Sequence, residues 1–322
     1  MNEDYDCLRD PDNGSNLYLT NNMLFSNTKK SFEIVDNIPR FVGKSNYSDD
    51  FGYQWKKFYK TQLDTYTGLN ISEERLKNSL GFNLNQLKNR TVLEAGSGAG
   101  RFTEILLKYK SIVHSFDYSK AVEANAKNHK GKKNLTLVQA DIRKIPFEKN
   151  FYDIVLCLGV LQHTPNPEES IKSLWKMVKS GGNLVFDHYK FQWRTFLPPP
   201  FGQALGIYRF LILRLPVTYR FKFVKKLVDF WFPIHWKYRN NYIMTKLLRR
   251  LSPVIFHYEY IKLKDRKMYY EWSLLDTHDS TTDYYRHLRN EKQIVRFIKN
   301  IGAIDIKVSN NGNGVLVSCK KI

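Results

Sequence analysis

The chain has 322 residues, 42% of them hydrophobic, which supplies the core of one large domain or two smaller ones and excludes a disordered chain. Its three cysteines, Cys7, Cys157 and Cys319, stand far apart, with neither paired metal-ligand spacing nor a disulfide framework, so no metal is expected. The net charge of +20 is concentrated: Lys190 to Lys267 holds 17 Lys and Arg against Asp229, Glu259 and Asp265, a local excess of +14 that leaves +6 for the rest.

The N-terminal "MNEDYDCLRDPDNG" is polar and acidic, unlike a signal or transit peptide. No uncharged apolar run approaches the ~20 residues of a membrane-spanning helix. "ALGIYRFLILRLPV" comes nearest and is interrupted by Arg209, Arg214 and Pro216. A reducing, cytoplasmic location is expected, with peripheral membrane contact as an alternative for 205–251. Residues 1–45 hold turn clusters, "PDNGSN" and "TNN", and the strand-like "KSFEIVDNIPRFV". Residues 46–90 read as a helical cap, with Phe51, Trp55 and Phe58 in its first half and Ser72 as the N-cap of "SEERLKNSLGF".

From Thr91 strand and helix alternate. The strands are "TVLEA", "SIVHSFD", "LTLVQAD", "YDIVLCLG" and "SGGNLVFDHY", with "RFTEILLKYK", "SKAVEANAKNH" and "PEESIKSLWKMVK" as intervening helices. This predicts βαβ units and a parallel sheet over 91–187. The sheet resumes in 291–322 with the helix "NEKQIVRFIKNIG" and a hairpin through "SNNGNG". Residues 188–290 interrupt it as a basic, aromatic, helical insertion.

"TVLEAGSGAGRF" joins the first strand to a glycine loop carrying Gly96, Gly98 and Gly100. Arg101 stands where a dinucleotide fingerprint needs its third glycine, and no Lys-Ser/Thr follows as a P-loop requires. Glu94 would repel a pyrophosphate and favour an ammonium. Asp117 ends the second strand, 21 residues beyond Gly96, where a carboxylate accepts from ribose hydroxyls. Asp141 ends the third, placed to accept from an exocyclic adenine amine, with Ile142 beside it to pack on a purine. "LGVLQHTP" follows the fourth, at the edge where open α/β sheets bind ligands.

Together, "VLEAGSGAGRF", "VHSFDYS", "LVQADIRKIPF", "FYDIVLCLGVLQHTP" and "KSGGNLVF" resemble the successive motifs of class I S-adenosylmethionine-dependent methyltransferases, a likeness covering 50–187 and 268–322. The resemblance implies an α/β, Rossmann-like seven-stranded sheet of order 3-2-1-4-5-7-6 with the last strand antiparallel. It implies S-adenosylmethionine as cofactor. It assigns Glu94, Gly96, Ser97 and Gly98 to the methionine end, with Gly100 and Arg101 completing the loop. Asp117 and Tyr118 go to the ribose, Asp141 and Ile142 to the adenine, and Leu158 and Gly159 to the methionine side. The segment before the core resembles the lead-in of methyltransferases that begin with a small zinc ribbon. Only Cys7 stands there, so a metal-free relic with a packing role is expected over 1–45.

The same resemblance places His163 near the transferred methyl. An imidazole there suits proton removal but equally caps a loop. His188 and Asp276 are further catalytic candidates. Tyr284, Tyr285 and His257 are candidates for substrate binding, and packing is the competing reading of both tyrosines. In the insertion, Val217, Phe221, Val224, Val228 and Trp231 share one helical face, and Ile243, Leu247, Leu248 and Leu251 another. Three explanations of the basic residues compete: a lid packed on the core, an anionic membrane surface, and nucleic acid. "LGVLQHTP" lacks the Asn-Pro-Pro-aromatic pattern of base-amine methylation, which counts against nucleic acid. The leading expectation is methylation of a small or lipid- or glycan-linked acceptor. An RNA methyltransferase and a non-catalytic membrane-associated assembly protein with a retained cofactor fold are the alternatives. The sequence does not determine the oligomeric state.

Overall fold

The computed structural model describes residues 5–43, 54–55, 57–193, 197, 201–311 and 314–322. Phe51 and the tip of the last hairpin, 312–313, lie outside them. The chain divides into two compact units: unit 1 comprises 1–56, 72–190 and 285–322, and unit 2 comprises 57–71 and 191–284. The helical cap expected over 46–90 is therefore shared, 57–71 grouping with the insertion and 72–90 with the core.

Unit 1 begins with four short antiparallel strands in sequence order: β1 (Leu17–Thr20), β2 (Met23–Ser26), β3 (Ser31–Val35) and β4 (Ile38–Pro39). They carry Leu24 and Ile34, with Leu8, into one apolar layer of the core. The Phe41 amide continues the link by donating to the Gln139 carbonyl at 2.8 Å. Among the described residues no group of three or more His, Cys, Asp or Glu is arranged to hold a metal.

A single helical turn, α1 (Asp64–Thr67), belongs to unit 2, and α2 (Ile71–Leu80) leads into the main sheet. Ser72 was expected to cap α2. It lies inside the first turn instead, buried, and accepts from Arg101 Nε at 3.2 Å. Then come β5 (Thr91–Ala95), α3 (Arg101–Lys108), β6 (Ile112–Asp117), α4 (Val122–Asn128), β7 (Leu135–Gln139), β8 (Tyr152–Cys157), α5 (Pro167–Met177) and β9 (Val178–Tyr189). After unit 2 the chain returns as α10 (Glu291–Asn300), β10 (Ala303–Asn311) and β11 (Gly314–Lys321). Asn290 starts α10 with a complete capping box.

The sheet order is β7-β6-β5-β8-β9-β11-β10. β5 to β9 run parallel, and β11 is antiparallel to both neighbours. This is the 3-2-1-4-5-7-6 arrangement that the family resemblance implies. Alternate residues face two apolar layers, as strand geometry requires. Leu93, Val155, Cys157, Leu184 and Phe186 enter one, and Val92, Ile154, Leu156 and Val185 the other. Glu94 shares the second face with Val92, toward α3, whose Phe102, Ile105 and Leu106 are buried there.

Unit 2 consists of α1, α6 (Leu205–Ile212), α7 (Val217–Tyr238), α8 (Tyr242–Leu251) and α9 (Arg266–Thr282). α9 packs against α6 and α7, and α8 packs against α7. α7 buries Phe221, Val224, Val228 and Phe232, a row spaced three and four apart. Val217, expected on that face, is half exposed at the helix start. α8 departs further: only Thr245 and Leu248 are buried, and Ile243, Leu247 and Leu251 face outward.

Candidate active site

The loop between β5 and α3 is held in a shape that only glycine fits at two positions. Gly96 has φ +72°, and a Cβ there would stand 2.3 Å from Val160 Cγ2. Gly100, the residue before α3, has φ +89°, and its Cβ would stand 2.3 Å from Asn125 Oδ1. Positive φ costs a side chain strain, and these contacts forbid one. The Gly96 and Ser97 amides both donate to the Phe116 carbonyl, at 2.8 and 3.2 Å, tying the loop to the end of β6. The Trp55 indole lies against Gly98.

Glu94 is buried beneath this loop. Its Oε2 accepts from Thr103 Oγ at 2.5 Å and Ser115 Oγ at 3.1 Å. Asn125 Nδ2 donates to Thr103 Oγ at 2.9 Å, and His129 Nδ1 lies 2.7 Å from Asn125 Oδ1. With His129 as the donor of that last bond, every donor in the chain points toward the carboxylate. Burial nevertheless pushes the Glu94 pKa up to about 7, the hydroxyl donors opposing. Its Oε1 has no hydrogen-bond partner, and neither does the buried Ser97 Oγ. Buried polar atoms are almost always satisfied, so two orphaned acceptors at one glycine turn mark the place of a missing donor.

Asp117 ends β6. Its Oδ2 accepts from the Gly98 amide at 2.9 Å, and its Oδ1 from the Ser119 amide and hydroxyl at 2.8 and 2.7 Å. Burial raises its pKa. The carbonyl of half-buried Tyr118 accepts from Gln139 Nε2 at 3.0 Å. Asp141 holds the Arg143 guanidinium through both oxygens, the Nη2–Oδ2 distance being 2.6 Å, and also accepts from the Arg143 amide. Ile142 is buried in the first apolar layer and Leu158 in the second. Arg101 reaches Ser72 and lies over the Phe102 ring.

Three residues that sequence reasoning passed over gather at the same edge. Asp187, near the end of β9, is buried; its Oδ1 accepts from the Gly159 amide at 2.5 Å and its Oδ2 from Arg75 Nη2 at 2.8 Å. Arg75 Nε is buried without a hydrogen-bond partner. Gln162 is fully buried in the turn Leu161–His163, with both side-chain amide atoms unpartnered. An acid closing a strand in "VFDHY" was a signal for Asp187; nothing local marks Arg75, 112 residues away.

His163 Nδ1 meets the Tyr285 carbonyl at 3.2 Å, with its ring edge-on to Tyr189. His188 is buried in β9. Its Nδ1 meets the Tyr189 carbonyl at 3.0 Å, its Nε2 is unpartnered, and burial pushes its pKa down to about 4, so the imidazole is neutral near pH 7. Tyr285 stacks on His287 in unit 1, whereas Tyr284 closes unit 2 and is exposed. Within unit 2, His257 Nε2 meets Asp276 Oδ2 at 2.5 Å. The same oxygen accepts from Trp272 Nε1 at 3.0 Å, and Oδ1 from Gln62 Nε2 at 3.3 Å.

The donor set suits S-adenosylmethionine. Glu94 Oε1 and Ser97 Oγ are free to accept from an ammonium, Arg75 Nε is free to donate to a carboxylate, and Asp117 ends the strand where ribose hydroxyls are read. A buried carboxylate opposes a pyrophosphate.

Residues 93–186 match the family model described as "Methyltransferase domain". The ubiquinone biosynthesis O-methyltransferase of Coxiella burnetii is 32% identical over 113 residues, 34% of this chain and 48% of that protein. The protein of the same name in Hydrogenovibrio crunogenus is 31% identical over 115 residues, 34% of this chain and 47% of that one. The chain thus spans about half the length of these curated relatives. Among solved structures, a SAM-dependent methyltransferase from Aquifex aeolicus superposes with a TM-score of 0.44 at 15% identity, covering 87% of this chain and 100% of that one. With the sheet order, the glycine turn and the family match in register, residues 93–186 carry a methyltransferase domain.

Proposed function

We propose that the whole chain is a methyltransferase that O-methylates a small or lipid-linked acceptor. The observation that carries its donor side is the pair of orphaned buried acceptors, Glu94 Oε1 and Ser97 Oγ, beneath the glycine turn. The curated relatives, ubiquinone biosynthesis O-methyltransferases by name, support oxygen as the accepting atom and a quinone-like acceptor.

When bound, S-adenosylmethionine supplies an electrophilic methyl group on a sulfonium. Glu94 and Ser97 would accept from its ammonium, Arg75, steadied by Asp187, would meet its carboxylate, and Asp117 would hold its ribose. The remaining work is alignment and exclusion of water, because displacement at a methyl needs little covalent help from the protein. A hydroxyl acceptor gains from a group that takes its proton. Neutral His188, with its unpartnered Nε2, and the His257–Asp276 pair of unit 2 have that chemistry.

Titration calorimetry with S-adenosylmethionine and its demethylated product tests the donor side; undetectable binding of both overturns it. Transfer of isotope-labelled methyl to extracted lipids tests the acceptor side. Label in RNA instead of lipid, or cofactor binding with no transfer to any extract, would refute the lipid-linked reading.

A further inference from the structure

Soluble helices turn apolar residues inward and charged ones outward. In unit 2 the outward faces are apolar as well. α6 buries Ile212 yet exposes Ile207, Phe210 and Leu211, three and four apart and so on one side, with the Arg214 guanidinium over the Phe210 ring. α7 exposes Tyr219, Phe223, Lys226 and Phe230 in a second such row. α8 presents two adjacent rows spaced four apart: Ile243, Leu247 and Leu251 beside Tyr242, Lys246 and Arg250. Ile243 is 76% exposed and Tyr242 71%, and the Lys246 ammonium sits over the Tyr242 ring. Burial in water-soluble structure explains none of these rows.

Charge selects what covers them. From Leu205 to Leu251 eleven Lys and Arg stand against Asp229 alone, which is bonded to Lys225. Lys222, Lys226, Lys246 and Arg250 are exposed and form no ion pair among the described residues. A second copy of this chain would bring the same positive surface and be repelled. Nucleic acid would engage the cations and aromatic rings but leave the aliphatic row of α8 uncovered. An anionic bilayer satisfies both: aliphatic and aromatic side chains enter the acyl boundary while neighbouring cations meet lipid phosphates. No described helix is long and apolar enough to cross a membrane, which suits helices that lie on one.

We propose that α6, α7 and α8 form a seat for an anionic lipid surface, with α8 lying in the interface. This inference stands independently of methyl transfer.

The test is flotation of the full chain with vesicles of phosphatidylcholine alone or mixed in equal parts with phosphatidylglycerol. Expected is recovery with the mixed vesicles and much less with phosphatidylcholine. Lys246→Ser with Arg250→Ser should weaken binding on the order of thirtyfold, from the usual contribution of two surface cations. Ile243→Ser with Leu247→Ser should weaken it at least tenfold while the salt dependence remains. These positions are exposed, so unchanged circular dichroism and thermal midpoint confirm folding of each variant. Failure to float with anionic vesicles overturns the proposal. So does binding that survives the aliphatic pair, which reduces the contact to charge alone. Protection of these rows in a dimer measured by sedimentation, or by RNA bound in preference to the mixed vesicles, overturns it as well.

Discussion

At the scale of single residues, the role proposed for Glu94 makes cofactor affinity depend on pH. An unfolded glutamate loses its proton near 4.5, whereas buried Glu94 keeps it to about 7. The folded chain therefore holds an extra proton between those values, and the residue's contribution to stability falls as pH rises from about 4.5 to about 7. A cationic ligand prefers the ionised form, so its affinity moves the other way. Calorimetry should show the dissociation constant of S-adenosylmethionine falling as pH is raised toward about 7, by up to tenfold per unit, and levelling above it. Glu94→Gln should flatten that dependence and weaken binding by about tenfold or more, the usual loss of a charged hydrogen bond. Arg75 and Asp187 give a second residue-scale prediction. Arg75→Ala leaves the buried Asp187 carboxylate with only the Gly159 amide. Because the arginine is partly exposed, the cost should be about 2 kcal/mol in chemical denaturation rather than the full value of a buried pair. Adding Asp187→Asn should recover part of that stability but none of the cofactor affinity. If both recover together, Arg75 has only a structural role.

At the scale of elements, the β5–α3 turn is specified by contact as well as conformation. Gly100→Ala would place a methyl on Asn125 at positive φ and push on the bonds Asn125 makes to Thr103 and His129. A loss of about 2–4 kcal/mol in unfolding free energy is expected. Gly131→Ala is the control, positive in φ but open around its Cβ, and should cost about 1 kcal/mol. Equal losses would show that strain alone matters. The alternation of β5 to β9 with α3 to α5 was legible because strand and helix periods differ and each boundary carries turn or cap residues. Glu94 and Asp117 were legible because they sit at fixed places relative to Gly96. Arg75 was not, since only the fold brings α2 beside β9. The inward face of α8 was not legible either. Its apolar residues share a helical face that suits a packed lid as well as a membrane surface, but the side that meets α7 is the Thr245–Leu248 row, a tertiary choice that local periodicity does not encode.

At the scale of the molecule, the main sheet is finished late. β11 lies between β9 and β10, pairing Val315 with His188 and Val317 with Phe186, although more than a hundred residues separate these strands in the chain. Its Val315 and Val317 are wholly buried. A chain ending at Asn290 would lack α10, β10 and β11 and leave the edge of β9 unpaired with apolar surface uncovered. Such an edge recruits other strands, so the truncated protein is expected in the insoluble fraction, and co-expression of 291–322 should return part of it to solution. Soluble, monomeric 1–290 would show that β9 tolerates an open edge. The same topology carries a consequence for synthesis. At ribosomal rates of about 5–20 residues per second, the 126 residues from Lys190 to Val315 take about 6–25 s to follow β9 out. For that interval the nascent protein carries five parallel strands with one border unsealed, an edge open to other strands until β11 seals it.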